Sequence, residues 1–374
     1  NHPHWYKGKI IYQIMVDRFY KGGNNPIKKN IIFHDNWNDL PNYKPVNGKI
    51  LNNDFFGGDL RGIIAKLPYL SSLNVSVIYL NPIFEAASNH KYDTGNFMKI
   101  DEMFGTEEDF KELVAKAKAY GMRIILDGVF NHVGDDSLYF NKYNHYPELG
   151  AYNSKLSVYY DWFLFIDYPD DYMSWWGIKT LPTINQDSIT YLQYIDAVLK
   201  KYLRLGASGY RLDVVDELTD KFVERITAVV KEENKGNIII GEVWEDASNK
   251  VAYGQRKHYF NGKQLDSVMN YVFKRAIISY LNENNVIGLR NNIRKIINNY
   301  PKDILDTMMN VLDTHDTMRI INNFAYQKNL SRDEEAQYLL TGEELAQAIS
   351  KMKLATILQY TLPGIPSIYY GDEA

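Results

Sequence analysis

The chain has 374 residues, 45% of them hydrophobic and 24% charged, with a formal net charge of −4 and no cysteine. That composition is globular. It lacks the clustered positive charge that nucleic-acid binding wants, and no run approaches the ~18 consecutive apolar residues of a membrane span. Without cysteine there are no disulfides, no thiolate metal sites and no cysteine nucleophile. Thirty Tyr, 16 Phe and 6 Trp make 14% of the chain aromatic, which suits core packing and also surfaces that stack on the flat C–H faces of sugar rings.

Eight short apolar runs recur along the chain: Ile10–Val16, Val75–Leu80, Ile124–Leu126, Gly209–Leu212, Ile238–Ile240, Leu265–Met269, Met308–Leu312 and Ile365–Tyr370. They are continuous rather than alternating, as in strands buried on both faces of a parallel sheet. Helical patterns lie between them. Thr106–Tyr120 opens with a Thr cap and acids and stops at Gly121; Thr190–Leu205 stops at Gly206; Glu217–Asn234 follows the fourth run and Glu343–Tyr360 precedes the eighth. Strand–helix alternation of this kind means βαβ units, and eight strands predict an α/β fold closed as a (β/α)8 TIM barrel of about 250 residues plus insertions. One interval breaks the rhythm. Residues 132–187 are too long for a structureless loop, so the spacing predicts a catalytic barrel over 1–131 and 188–374 with an inserted subdomain over 132–187 after the third strand. No helical pattern follows the eighth run before Ala374, so the eighth helix of the barrel is expected to be missing and the chain to be a fragment.

In such a barrel, catalytic groups sit at the C-terminal strand ends. Asp127, Asn131 and His132 follow the third run, Arg211 and Asp213 end the fourth, Glu242 ends the fifth, and His315 and Asp316 follow the seventh. A single Asp after a strand is usually a turn residue; ionisable groups at four strand ends point to one site. Retaining glycoside hydrolysis needs two carboxyls about 5–5.5 Å apart, and neighbouring strands lie about 4.8 Å apart, so Asp213 and Glu242 have suitable spacing. Arg211, two residues before Asp213, points to the same side of its strand and is expected to hold that carboxylate ionised. Glu242 lies between Val243 and an apolar strand, surroundings suited to an acid.

These residues carry a resemblance. Asp127-Gly-Val-Phe-Asn131-His132, Gly209-Tyr-Arg211-Leu-Asp213, Gly241-Glu242-Val-Trp244 and Thr314-His315-Asp316 resemble the four signature segments of the α-amylase family of glycoside hydrolases. Gly57-Gly58-Asp59-Leu60, Asn89-His-Lys-Tyr92-Asp93, Leu181-Pro-Thr-Ile-Asn185 and Gly364-Ile-Pro extend the likeness over nearly the whole chain. The insertion motif, Ser174-Trp-Trp-Gly177 and Glu242-Val-Trp244 are similar to the neopullulanase, cyclomaltodextrinase and amylopullulanase group. Plain α-amylases usually carry Lys-His where Asp216 and Glu217 stand here.

The resemblance implies Asp213 as nucleophile, Glu242 as general acid/base and Asp316 as the third carboxylate, which holds and distorts the sugar being cleaved. It implies that His132 and His315 bond its hydroxyls, that Tyr92 stacks on it, that Arg211 positions Asp213, that Arg319 and Trp244 contact substrate, and that Asp127 and Asn131 brace the site. It implies an endo-acting retaining hydrolase of α-1,4 bonds, with α-1,6 bonds as a further target, in starch, pullulan or maltodextrins; a glucanotransferase using the same residues and an inactive sugar-binding fragment are the alternatives. The partner is an α-glucan, with no nucleic acid and no membrane, and the chemistry needs no cofactor. The family often binds a structural calcium; Asn24, Asn25, Gly57 and Asp59 are the candidate ligands, although Lys21 stands about where an acid is expected and a lysine ammonium is the alternative occupant. Relatives often carry an extra N-terminal domain and a C-terminal β-sandwich, and both are expected to be missing from this chain. The amylopullulanase likeness and the missing cysteines point to an extracellular enzyme, with the cytoplasm as the alternative.

Overall fold

The computed structural model describes residues 3–325 and 329–374. Eight parallel strands form its centre: β1 (Ile11–Ile14), β2 (Val77–Leu80), β3 (Arg123–Gly128), β4 (Gly209–Leu212), β5 (Ile238–Gly241), β6 (Ser267–Val268), β7 (Met309–Val311) and β8 (Ile365–Tyr369). They pair in the order β6-β5-β4-β3-β2-β1-β8-β7. A parallel bridge between Met269 and Met309 joins the two end strands, so the sheet closes into the expected barrel. All eight runs read from the sequence are strands.

The strands divide their side chains between two cores, because successive residues of a strand point to opposite faces. Ile11, Val77, Tyr79, Ile125, Ile238, Ile240, Met309 and Ile365 fill the interior. Their neighbours, such as Tyr12, Ile78, Ile124 and Ile239, pack outward against the helices. Fully burying one such side chain stabilises the fold by roughly 1.5–3 kcal/mol. At the C-terminal end the interior turns polar: Asp127, Arg211 and Ile240 stand level across β3, β4 and β5.

Helix α1 (Leu60–Ser72) is capped by Asp59, α2 (Glu107–Ala119) by a Thr106–Asp109 capping box, α3 (Ile189–Leu205) by Ser188 and α4 (Asp220–Glu233) by Thr219. The sequence pattern starts α4 at Glu217; Val215–Glu217 is instead a separate 3-10 turn, and the helix waits for the Thr219 cap. Among the described residues, three long helices have no counterpart in the sequence pattern. Pro68 lies inside α1, and α5 (Tyr271–Glu283) and α6 (Val286–Asn299) are capped by Asn270 and Asn285 and punctuated by Asn rather than Gly. The last long helix, α7 (Gly342–Thr361), leads into β8.

Between β3 and α3 the chain forms a two-stranded hairpin, Phe165–Asp167 with Asp171–Tyr172. His132 pairs with Thr183, so the segment leaves and re-enters the barrel at one place. Its aromatic rings pack on one another, Phe140 against Phe163, Phe165 and Tyr172, and also on the barrel. Tyr139 and Trp162 pack on Tyr194 of α3, in the same buried cluster as the outer barrel wall.

Candidate active site

The polar layer at the barrel mouth is built on one cation. Arg211 is fully buried. Its Nη1 donates to Asp127 at 2.9 Å and to Asp213 at 3.0 Å, and its Nη2 lies 3.2 Å from Glu242 Oε2 as an ion contact. A buried guanidinium is tolerable only when carboxylates surround it, and three strand ends supply them. Because Asp213 and Glu242 contact the two terminal nitrogens of one planar group, they are held close across a single gap.

Glu242 has further donors. The Val214 N–H reaches Oε1 at 2.7 Å and the Trp244 indole N–H reaches Oε2 at 3.1 Å. Val214 sits in the left-handed region at φ 41, a strained conformation for a β-branched residue, and that conformation presents its N–H to the acid. Trp244 is fixed by stacking on Tyr271 at 3.8 Å between centroids.

A second chain of hydrogen bonds runs behind the site. Gln13 donates to Asn81 at 3.1 Å and to Nδ1 of His315 at 3.0 Å. Asn81 donates to the Tyr92 hydroxyl at 2.9 Å, and the Tyr79 and Tyr92 hydroxyls donate to Asp127 at 2.6 and 2.5 Å. Tyr92 stacks on His315, centroids 4.9 Å apart and planes 9° apart. With Nδ1 of His315 accepting from Gln13, its Nε2 carries the proton toward Asp316, 3.2 Å away. The sequence reading does not single out Gln13, Tyr79 and Asn81; their signal is placement on inward-facing positions of β1 and β2 and just past β2.

The charges in the mouth differ in kind. Burial first, then the charge of Glu242, pushes the Asp213 carboxyl well above the ordinary carboxylate range, with Arg211 pulling against them. This corrects the expectation that Arg211 holds Asp213 ionised: three carboxyls share its charge, and burial outweighs it at Asp213. For Asp316, burial also works upward but is outweighed by the hydrogen bond and charge of His315, so its carboxyl is lowered. Burial lowers His132 to about 4, against an opposing hydrogen bond to the Tyr92 carbonyl.

The mouth opens into a cleft of about 1000 Å³. Asp213, Glu242, Asp316, Tyr92, His132, His315 and Trp244 all line it. Two expectations need correction. Arg319 is turned away from the cleft: it lies over the Tyr369 and Tyr370 rings and donates to the Tyr370 carbonyl and Asp372. His132 presents its ring to the cleft, but its nitrogens are spent on the protein, Nδ1 facing the Asn131 amide at 3.3 Å and Nε2 the Tyr92 carbonyl at 3.1 Å; it is not free to bond a sugar hydroxyl in this arrangement.

The residues considered for calcium do not fit that ion. Asp59 Oδ1 accepts from the N–H groups of Gly22 and Gly62, and Oδ2 accepts from the Gly23 N–H and the Asn25 amide. A carboxylate filled by N–H donors is not an oxygen ligand for a cation that wants six to eight. Asn24 is exposed. Gly57, at φ 84, lies against Phe33, and Lys21 stands over the same ring. Among the described residues no group of three or more His, Cys, Asp or Glu is placed to hold a metal.

Residues 13–374 match the alpha amylase catalytic domain family. The chain belongs to the α-amylase family of glycoside hydrolases. It is 40% identical over 423 aligned positions to an amylopullulanase of Thermoanaerobacterium saccharolyticum, covering 99% of this chain and 32% of that protein. It is 34% identical to a cyclomaltodextrinase of Thermoanaerobacter pseudethanolicus, covering 99% and 58%. The structure of a cyclic alpha-maltosyl-(1→6)-maltose hydrolase from Arthrobacter globiformis, in complex with that sugar, superposes with a TM-score of 0.82 at 27% identity, over 100% of this chain and 75% of the other. The chain thus spans about a third of the amylopullulanase and under three fifths of the cyclomaltodextrinase.

Proposed function

We propose that this catalytic domain hydrolyses α-1,4-glucosidic bonds within starch, pullulan or maltodextrins, with retention at the anomeric carbon. The observation that carries the reading is the pair Asp213 and Glu242, on adjacent strands and gripped by one guanidinium, with Asp316 across the same cleft. Carboxyls held this close suit a retaining mechanism, because an inverting pair must leave room for a water at roughly 6.5–9.5 Å.

The two carboxyls act with one proton between them. In the resting site the raised Asp213 carboxyl favours holding it; with substrate bound it passes to Glu242, which gives it to the glycosidic oxygen as that oxygen leaves. Asp213, the carboxylate of the pair, attacks the anomeric carbon from the other face and forms a glycosyl ester. Water then enters; Glu242, now ionised, takes its proton, and the resulting oxygen displaces Asp213. Two inversions give net retention. Arg211 keeps Asp213 aimed and offsets the charge that returns to it. Asp316, whose carboxyl is lowered, stays ionised to hold hydroxyls of the cleaved sugar, while Tyr92 lies against its ring.

Asp213→Asn and Glu242→Gln should each lower kcat on maltooligosaccharides by about 10⁴-fold or more without loss of fold by circular dichroism; activity near normal in either removes the mechanism. Pullulan decides the bond. Panose or isopanose reports cleavage of α-1,4 bonds on one or the other side of the branch, and maltotriose reports α-1,6 cleavage. Repeating the digest with added maltose shows whether a sugar acceptor outcompetes water.

A further inference from the structure

Two aromatic residues on the cleft are in conformations that packing does not explain. Trp176 is 79% exposed and Tyr253 is 76% exposed, yet both line the cleft that holds Asp213 and Glu242. Both have positive φ, 52 and 53, and each is followed by a glycine at φ 72. Left-handed backbone is strained for a bulky side chain, and only Gly, Asn and Asp visit it routinely. Tyr253 and Gly254 are the two-residue turn of the hairpin Val251–Ala252 and Gln255–Arg256. A turn with positive φ at both central residues ordinarily carries Asn-Gly; here Tyr takes the place of Asn. An exposed ring recovers none of that strain by burial, and unrelieved strain beside an active site points to a use for the ring.

The two rings are held by opposite walls. Trp176 belongs to the segment that leaves β3, and the hairpin follows β5, so they flank β4 and its nucleophile. Trp176 lies against Trp175 with centroids 5.5 Å apart and planes tilted by 36°, and Trp175 lies against His132 at 5.5 Å and 31°, a run of tilted rings from the cleft floor to its lip. Tyr253 is tethered: its hydroxyl donates to both oxygens of Glu217 at 2.5 Å. Lys250 anchors the base of the hairpin, 3.2 Å from Asp216 and bonded to Glu245. Two exposed ring faces, one of them with the Glu217 carboxylate at its edge, match a hexose, which is apolar on its faces and polar around its rim.

We infer that Trp176 and Tyr253 are specificity-determining residues, two aromatic lips that bind glucose units of an α-glucan beyond the sugar being cleaved. Tyr253 lies on the leaving-group side, because its hairpin extends from the strand that carries the acid. The assignment of that side rests on the roles proposed above for Asp213 and Glu242; the binding of glucan by the two rings does not.

Asn is the replacement that separates use from structure, since it removes the ring and suits the backbone. Trp176→Asn and Tyr253→Asn should leave the melting temperature unchanged or higher, weaken maltoheptaose binding by about tenfold each, as expected for loss of one stacked ring, and weaken maltose binding by less than about twofold. Tyr253→Phe, which keeps the ring and drops the tether, should recover most of the lost affinity. Measuring Kd by calorimetry in an Asp213→Asn background reads the effect without turnover, so failure of the proposed chemistry and failure of this inference are distinguishable. Unchanged maltoheptaose affinity in both Asn variants overturns the inference. So does a fall in melting temperature with equal losses for maltose and maltoheptaose, the signature of a purely structural role.

Discussion

The floor of the cleft and its lip solve opposite problems. On the floor, Arg211, Asp127, Asp213 and Glu242 are buried and paired by charge; removing any one leaves charge without a partner. On the lip, Trp176 and Tyr253 are exposed and strained, and replacing either by Asn relieves the backbone. The floor is therefore where function and stability coincide, and the lip is where they trade against each other. That difference orders what mutation should do.

The largest effect is expected on the floor. Arg211→Met removes the cation shared by three carboxyls and leaves their charge uncompensated in a buried layer. A broken buried ion network costs about 3–5 kcal/mol, so a large fall in melting temperature should accompany loss of turnover. Arg211→Lys should rescue little of either, because an ammonium lacks the planar fork that meets Asp127, Asp213 and Glu242 together. If either variant melts like the parent, the floor is not the keystone this comparison makes it.

A smaller effect on the same wall is visible through pH. Burial keeps His132 neutral down to about 4, whereas an unfolded histidine takes its proton near 6.5. Between those values the unfolded chain binds more protons, so stability falls as pH falls. The full difference is on the order of 3 kcal/mol. Asp213 and Asp136, whose carboxyls burial raises, the latter to about 7, work in the opposite direction. The clean measurement is thus the stability of the parent minus that of His132→Asn, by urea titration at pH 7, 5.5 and 4. The parent should lose relative advantage at each step; a difference independent of pH would mean that His132 is not held neutral.

What the sequence revealed follows the same division. The eight strands were legible because strands buried on both faces read as apolar runs, and Asp127, Arg211, Asp213, Glu242 and Asp316 were legible because they end those runs. The lip was not. Nothing in Val251–Arg256 marks a hairpin, since Tyr253-Gly254 carries Tyr where the turn signal is Asn, and exposure of Trp176 is set by tertiary placement rather than by its neighbours. Arg319 shows the other limit: residues after β7 are near the mouth by topology, but the direction of a long side chain is decided by Tyr369 and Tyr370, some fifty positions away. α1 was hidden by Pro68, although Asp59, the residue considered for calcium, is its cap.

Asp59 gives the smallest expected effect and the sharpest contrast with a metal site. Its carboxylate caps α1 through Gly62 and ties down Gly22, Gly23 and Asn25. Loss of a helix cap costs about 0.5–2 kcal/mol, and the loop bonds place Asp59→Ala toward the upper end of that range. A calcium ligand would behave differently. Stability would then rise with free ion according to its saturation and fall on chelation. With the oxygens filled by N–H groups, the melting temperature should be the same in excess EDTA and in millimolar calcium, while Asp59→Ala lowers it equally in both. Asp59→Asn should recover only part of the loss, since an amide offers one acceptor oxygen where the carboxylate offers two and its other end meets the Gly23 N–H donor to donor. A melting temperature that climbs with calcium in the parent and not in Asp59→Ala would return the loop to the metal and overturn the hydrogen-bonded reading of it.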